Sequence, residues 1–121
     1  MDQFLLILNA FASFSSATAA IISTANPASL SGSPVVTTGE RFYQRMYAVR
    51  ALPLELLAGI LPLYLSGPAV VSVVGAAVFV QAADVIIGIG RNDGGMALGA
   101  SFATTAHVLY LFSIPSAKVQ R

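Results

Sequence analysis

The chain has 121 residues, 56% of them hydrophobic and only 9% charged, with a net charge of +1 and a mean hydropathy of +0.80. Water-soluble domains carry about 25% charged residues, so a water-facing surface of this size is excluded and lipid is the expected solvent. No basic run points to nucleic acid and no acidic tail to a charged partner, while the absence of cysteine removes disulfides, thiolate metal sites and dithiol redox chemistry.

Four apolar helices are expected in turn. The first covers residues 3–24, long enough to cross a hydrocarbon core of about 30 Å. It opens with Phe4-Leu5-Leu6-Ile7-Leu8 and then turns to small residues, among them Ala12, Ser16 and Ala20 at four-residue spacing. Small residues at that spacing let helices approach closely in lipid, which places this helix inside a bundle. Only Asp2 precedes its apolar stretch, so a basic n-region is missing and the segment reads as a retained helix, not a signal peptide. Residues 25–38 read as a loop, punctuated by Asn26-Pro27, Gly32 and Ser33-Pro34.

The second helix is expected over residues 39–65, with Thr37 and Glu40 spaced as a capping box. Pro53 and Pro62 lie inside it. Each removes one ladder hydrogen bond, which a membrane helix tolerates when a neighbour satisfies the freed carbonyl. Ser66-Gly67-Pro68 forms a turn, and Pro68 suits the first position of a third helix over residues 68–90. A polar loop, Arg91 to Gly95, leads to a fourth helix over residues 96–114, ended by Pro115. Gly95 and Gly99 at its start form a GxxxG close-packing signal. The fold class is therefore all-α: one four-helix transmembrane bundle, integral and multi-pass, with both termini on one side. Lys118 and Arg121 on that side against Arg41, Arg45 and Arg91 on the other do not orient it.

Ionisable side chains inside a bilayer cost about 2.5–3.5 kcal/mol each on insertion scales, and by default they mark function. Four fall within the expected spans: Arg50 and Glu55 on the second helix, Asp84 on the third and His107 on the fourth. Gln81 precedes Asp84 by three residues and shares its helix face. Helix directions put Arg50 and Asp84 near the side of the first and third loops, with Glu55 and His107 deeper, so all four can line one cavity opening on that side. Arg50 and Glu55 lie about 140° apart on an ideal helix, a relation that Pro53 between them disturbs.

As a chemical site, His107 exchanges protons near neutral pH, Asp84 or Glu55 serves as acid or base, and Arg50 holds a carboxylate, enolate or phenolate. Asp84, His107 and Glu55 are the catalytic candidates, and Arg50, Gln81 and Tyr110 the substrate-binding ones. The bland reading stands beside it: Arg50 clamps Asp84 across two helices or snorkels to headgroups, and His107 bonds a backbone carbonyl. One histidine and two carboxylates on three helices have no metal-site spacing, so no metal is expected. Tyr43, Tyr47 and Tyr64 read as interface anchors or packing residues, as Tyr110 does in the bland reading.

A Pro-containing loop after the first helix, Tyr47-Ala48-Val49-Arg50 on the second, Asp84 closing the third before a Gly-containing loop, and His107 on the fourth together resemble the DoxX-like group of small four-helix membrane proteins. A bacterial and fungal branch of that group shows Gly-x-Arg-Asp, then a single Asp, then a single His. Ala48 and Ala51 stand here where that pattern has Gly and Asp. The resemblance covers nearly the whole chain through single-residue motifs. It implies the fold and the joint importance of Arg50, Asp84 and His107, and it supplies no reaction.

The leading expectation is a bundle that binds an apolar small molecule and acts on it by proton transfer. An isomerisation or cyclisation of a lipid-soluble polyketide or terpenoid intermediate, without a cofactor, suits such a site. The alternative is a non-catalytic subunit of a larger membrane complex. Expected partners are the lipid bilayer, an apolar small-molecule ligand, and a second copy or another membrane protein, with no nucleic acid. A transporter is disfavoured because four helices leave little room for alternating access.

Overall fold

The computed structural model describes residues 3–26, 28 and 35–115. Asp2, most of the loop after the first helix and the tail with Lys118 and Arg121 lie outside the described residues. Four helices follow one another: α1 (Gln3–Ala25), α2 (Thr38–Tyr64), α3 (Pro68–Gly90) and α4 (Gly94–Ser113). All four are long and apolar enough to cross a membrane. Closest packing runs α1 to α2, α2 to α3, α3 to α4 and α4 back to α1, a ring of antiparallel neighbours.

Local chemistry sets the ends. Thr37 and Glu40 form the reciprocal capping box that starts α2, each satisfying the other's backbone N–H. Gly67 sits at φ 102°, a left-handed conformation that favours glycine, and hands the chain to Pro68 at the start of α3. The fourth helix starts at Gly94, two residues earlier than its apolar pattern suggests, because the Asp93 carboxylate caps it by accepting from Met96 N–H at 2.9 Å. It stops at Ser113, where Ile114 turns extended ahead of Pro115.

Two close approaches lock the helices in pairs. A Cβ added at Gly59 on α2 would stand 3.0 Å from Ser13 Cβ on α1, and one at Gly88 on α3 would stand 2.8 Å from the Ala97 backbone nitrogen on α4. Of the small face of α1 expected from sequence, Ala12 and Ala20 are buried and Ser16 is half-buried, and Ser13 and Ala17 lie inside beside them. The GxxxG signal is not used this way within the chain. Gly99 has open space where a Cβ would go, and Gly95 meets only the Asp93 side chain.

The distribution of side chains is inverted relative to a water-soluble protein. Phe79, Leu98 and Phe112 are 77%, 74% and 86% exposed, whereas Asn9, Ser13, Glu55 and His107 are 0% exposed. An apolar exterior around a polar, alanine-rich interior is stable only where the surroundings are themselves apolar.

Candidate functional site

The inner stripe of α2 is Gln44, Ala48, Ala51, Glu55, Ala58, Gly59 and Pro62. Its small residues bring the backbone inward and leave Glu55 as the one buried acid on that helix. Glu55 meets α3 through Gln81, whose Nε2 donates to Glu55 Oε1 at 2.7 Å and to Ser16 Oγ of α1 at 3.1 Å. The other carboxyl oxygen, Oε2, faces His107 Nε2 of α4 at 3.5 Å. Neither of these two buried atoms makes a hydrogen bond. His107 is held from behind, with Nδ1 2.8 Å from Asn9 Oδ1 of α1. Asn9 Nδ2 in turn donates to the Ala58 carbonyl at 2.9 Å.

That last bond has a cause in the sequence. Pro62 has no N–H, so the carbonyl four residues earlier, that of Ala58, has no ladder donor from its own helix. Asn9 supplies one. Pro62 is thus tied chemically to the site. All four helices contribute to the resulting network: Asn9 and Ser16 from α1, Glu55 and the Ala58 carbonyl from α2, Gln81 from α3 and His107 from α4.

Arg50 and Asp84 form a second, outer pair, with Nη2 and Oδ1 3.6 Å apart. This is an ion pair without a hydrogen bond, since Asp84 Oδ1 has no hydrogen-bond partner. The Asp84 side chain is 4% exposed and that of Arg50 is 57% exposed. Asp84 lies six residues, about 9 Å, inside the end of α3, whereas His107 lies thirteen residues, about 20 Å, inside the same end of α4. Tyr47, half-buried one turn before Arg50, lies within electrostatic reach of Arg50, Asp84 and Glu55.

Five of the six residues singled out from sequence therefore fall into these two pairs and their hydrogen-bonded surroundings. Tyr110 goes elsewhere. It is buried with Ala58, Val70, Val74 and Ala77 in an apolar cluster, flanked by Leu6, Leu61 and Leu111, that fills the bundle beyond His107. The polar interior is thus closed by apolar packing at that end and approaches the surface only at the other. Every other charged side chain among the described residues, namely Glu40, Arg41, Arg45, Arg91 and Asp93, lies at that other end.

Arg50, Glu55, Asp84 and His107 meet as two pairs. A cleft of about 310 Å³ does open at the expected end, but it is lined by Thr24, Ala25, Asn26, Ala28, Val36, Arg41, Gln44 and Arg45. From Gln44 the inner stripe of α2 descends through Ala48 and Ala51 to Glu55. Among the described residues no three acidic or imidazole side chains converge as metal ligands would. The donor set at the centre is one carboxyl and one imidazole.

Sequence reasoning missed Asn9 and gave Ser16 only a packing role. Asn9 is not ionisable, yet an amide in an otherwise apolar half-helix carries the same signal, and Pro62 announced a carbonyl in need of a donor.

The chain matches no family model, no curated protein and no solved structure.

Proposed function

We propose that this chain is a multi-pass membrane protein that binds an apolar small molecule and rearranges it by proton transfer between Glu55 and His107. The observation that carries the reading is the facing pair of buried atoms, Glu55 Oε2 and His107 Nε2, 3.5 Å apart and without hydrogen bonds. Buried polar atoms are normally satisfied, and leaving one unpaired costs about 1–3 kcal/mol. Two such atoms, one on an acid and one on an imidazole, face each other inside a bundle whose outer surface is apolar.

The chemistry follows from their proximity. His107 Nε2 takes a proton from a carbon next to a carbonyl, breaking a C–H bond and leaving an enolate. The carboxylic acid of Glu55 gives its proton to another carbon of the conjugated system, forming the new C–H bond. Transfer from His107 Nε2 back to Glu55 Oε2 restores both groups. The net change is an isomer of the starting molecule, with no oxidant, reductant or cofactor consumed. General acid–base catalysis of this kind contributes about 10²–10⁴-fold.

The contact between α2 and α3 is the sparsest of the four around the ring and is bridged by Arg50–Asp84 and Glu55–Gln81. A lipid-soluble molecule enters there from the bilayer, with Arg50 at the rim as counter-ion for an enolate or carboxylate. The resemblance to DoxX-like proteins agrees with a four-helix bundle carrying Arg50, Asp84 and His107, and adds no reaction.

A second reading, a non-catalytic subunit, is favoured by one observation: the hydrogen bonds around Asn9, Glu55, Gln81 and His107 tie all four helices together and so also suit a purely structural clamp. Native mass spectrometry of the chain taken from its own membrane separates the two. The catalytic reading expects an apolar small molecule bound to the wild-type chain and retained by Glu55→Gln. A chain that carries no small molecule in either form, and travels instead with a larger membrane complex, contradicts it.

A further inference from the structure

The hydrogen bonds around Asn9 determine which nitrogen of His107 carries a proton. A carbonyl only accepts, so the Ala58 carbonyl must face the NH₂ end of the Asn9 amide, and the amide oxygen must face the other way. That oxygen lies 2.8 Å from His107 Nδ1. Two acceptors do not bond, so Nδ1 carries the hydrogen. In the neutral ring Nε2 is then a bare lone pair, and it faces Glu55 Oε2. Turning the ring over would put carbon at both positions and lose both interactions. On the far side of the carboxyl, Gln81 Nε2 donates to Oε1, which is thereby an acceptor and leaves Oε2 as the oxygen for the acid proton.

We infer that Asn9 is a positioning residue, oriented by the Ala58 carbonyl that Pro62 leaves without a ladder donor, that dedicates His107 Nε2 and Glu55 Oε2 to one mobile proton. The tautomer itself stands on geometry alone. Its consequence for turnover rests on the acid–base reading above.

His107 is the sole histidine of the chain, so histidine labelled with ¹⁵N gives one set of ring signals. The full chain, labelled in this way and held in lipid nanodiscs at neutral pH, is expected to show a protonated, pyrrole-type Nδ1. Asn9→Leu, close in shape and without the amide, is expected to invert the spectrum to the Nε2–H form that imidazole favours in water. A wild-type ring with a pyridine-type Nδ1 overturns the inference, as does an Asn9→Leu spectrum identical to the wild type. Should Asn9→Leu fail to accumulate, the wild-type spectrum still decides. A protonated Nδ1 in a chain that catalyses no proton exchange keeps the positioning role and removes the acid–base function, so the two failures are distinct.

Discussion

Glu55 faces His107 at 3.5 Å and Arg50 faces Asp84 at 3.6 Å, two contacts of nearly equal length at two depths of one bundle. Their surroundings differ. The inner pair is wholly enclosed, and each partner is fixed from behind by an amide, Gln81 for Glu55 and Asn9 for His107. The outer pair has one enclosed carboxylate and one guanidinium that is more than half exposed, with no hydrogen bond joining them. Distance alone would call them alike. Enclosure and orientation make the inner pair a place where a proton has few destinations, and the outer pair a flexible electrostatic contact.

The largest effects are expected when one inner group and one outer group are removed in turn and the same reaction is measured. Glu55→Gln and His107→Phe are each expected to lower turnover by about 10²–10⁴-fold while the chain still accumulates. Asp84→Asn is expected to lower it far less. Equal losses at both depths would erase the distinction.

Backbone packing asks whether the outer level is loose throughout. Gly88 lies one turn beyond Asp84, where an added Cβ would come 2.8 Å from the Ala97 nitrogen. Gly88→Ala is expected to destabilise the bundle by about 1–3 kcal/mol, read as a shift in its denaturation midpoint in mixed micelles. Gly99→Ala, with open space around it, serves as the control and leaves the midpoint unchanged or slightly raised.

Asn9→Leu removes two buried hydrogen bonds and leaves the Ala58 carbonyl without its donor. Interhelical bonds in membranes average about 0.6 kcal/mol with a maximum near 1.7, so the expected stability loss is about 1–2 kcal/mol by the same denaturation assay. The smallest effect on stability is expected at Arg50→Gln. An exposed partner in a pair of this kind contributes under about 1 kcal/mol, and its side chain also has headgroups within reach.

Most of the fold was legible in the sequence because lipid makes the rules strict. Long apolar runs must be helices, and Thr37 with Glu40, Pro68 and Pro115 marked their ends by local chemistry. The largest shift, two residues, is at the start of α4, because Asp93 caps it earlier than the apolar pattern begins. The site was legible in part for the same reason: a charge in an apolar run is conspicuous, and Arg50, Glu55, Asp84 and His107 all entered the two pairs. The Arg50–Asp84 pair was legible as a clamp across two helices, whereas the pairing of Glu55 with His107 was not, because it depends on which helices are neighbours. Asn9 was missed because its importance comes from a carbonyl on another helix, freed by a proline 53 positions away in the chain.

Movement of a proton by the enclosed pair on a lipid-soluble molecule can be read by incubating the chain with its native lipid extract in D₂O and following apolar molecules by mass spectrometry. A molecule is expected to gain carbon-bound deuterium with the wild-type chain, and only at background rate with Glu55→Gln or His107→Phe. Deuterium uptake that is the same with wild type and both variants, all three folded, would contradict it.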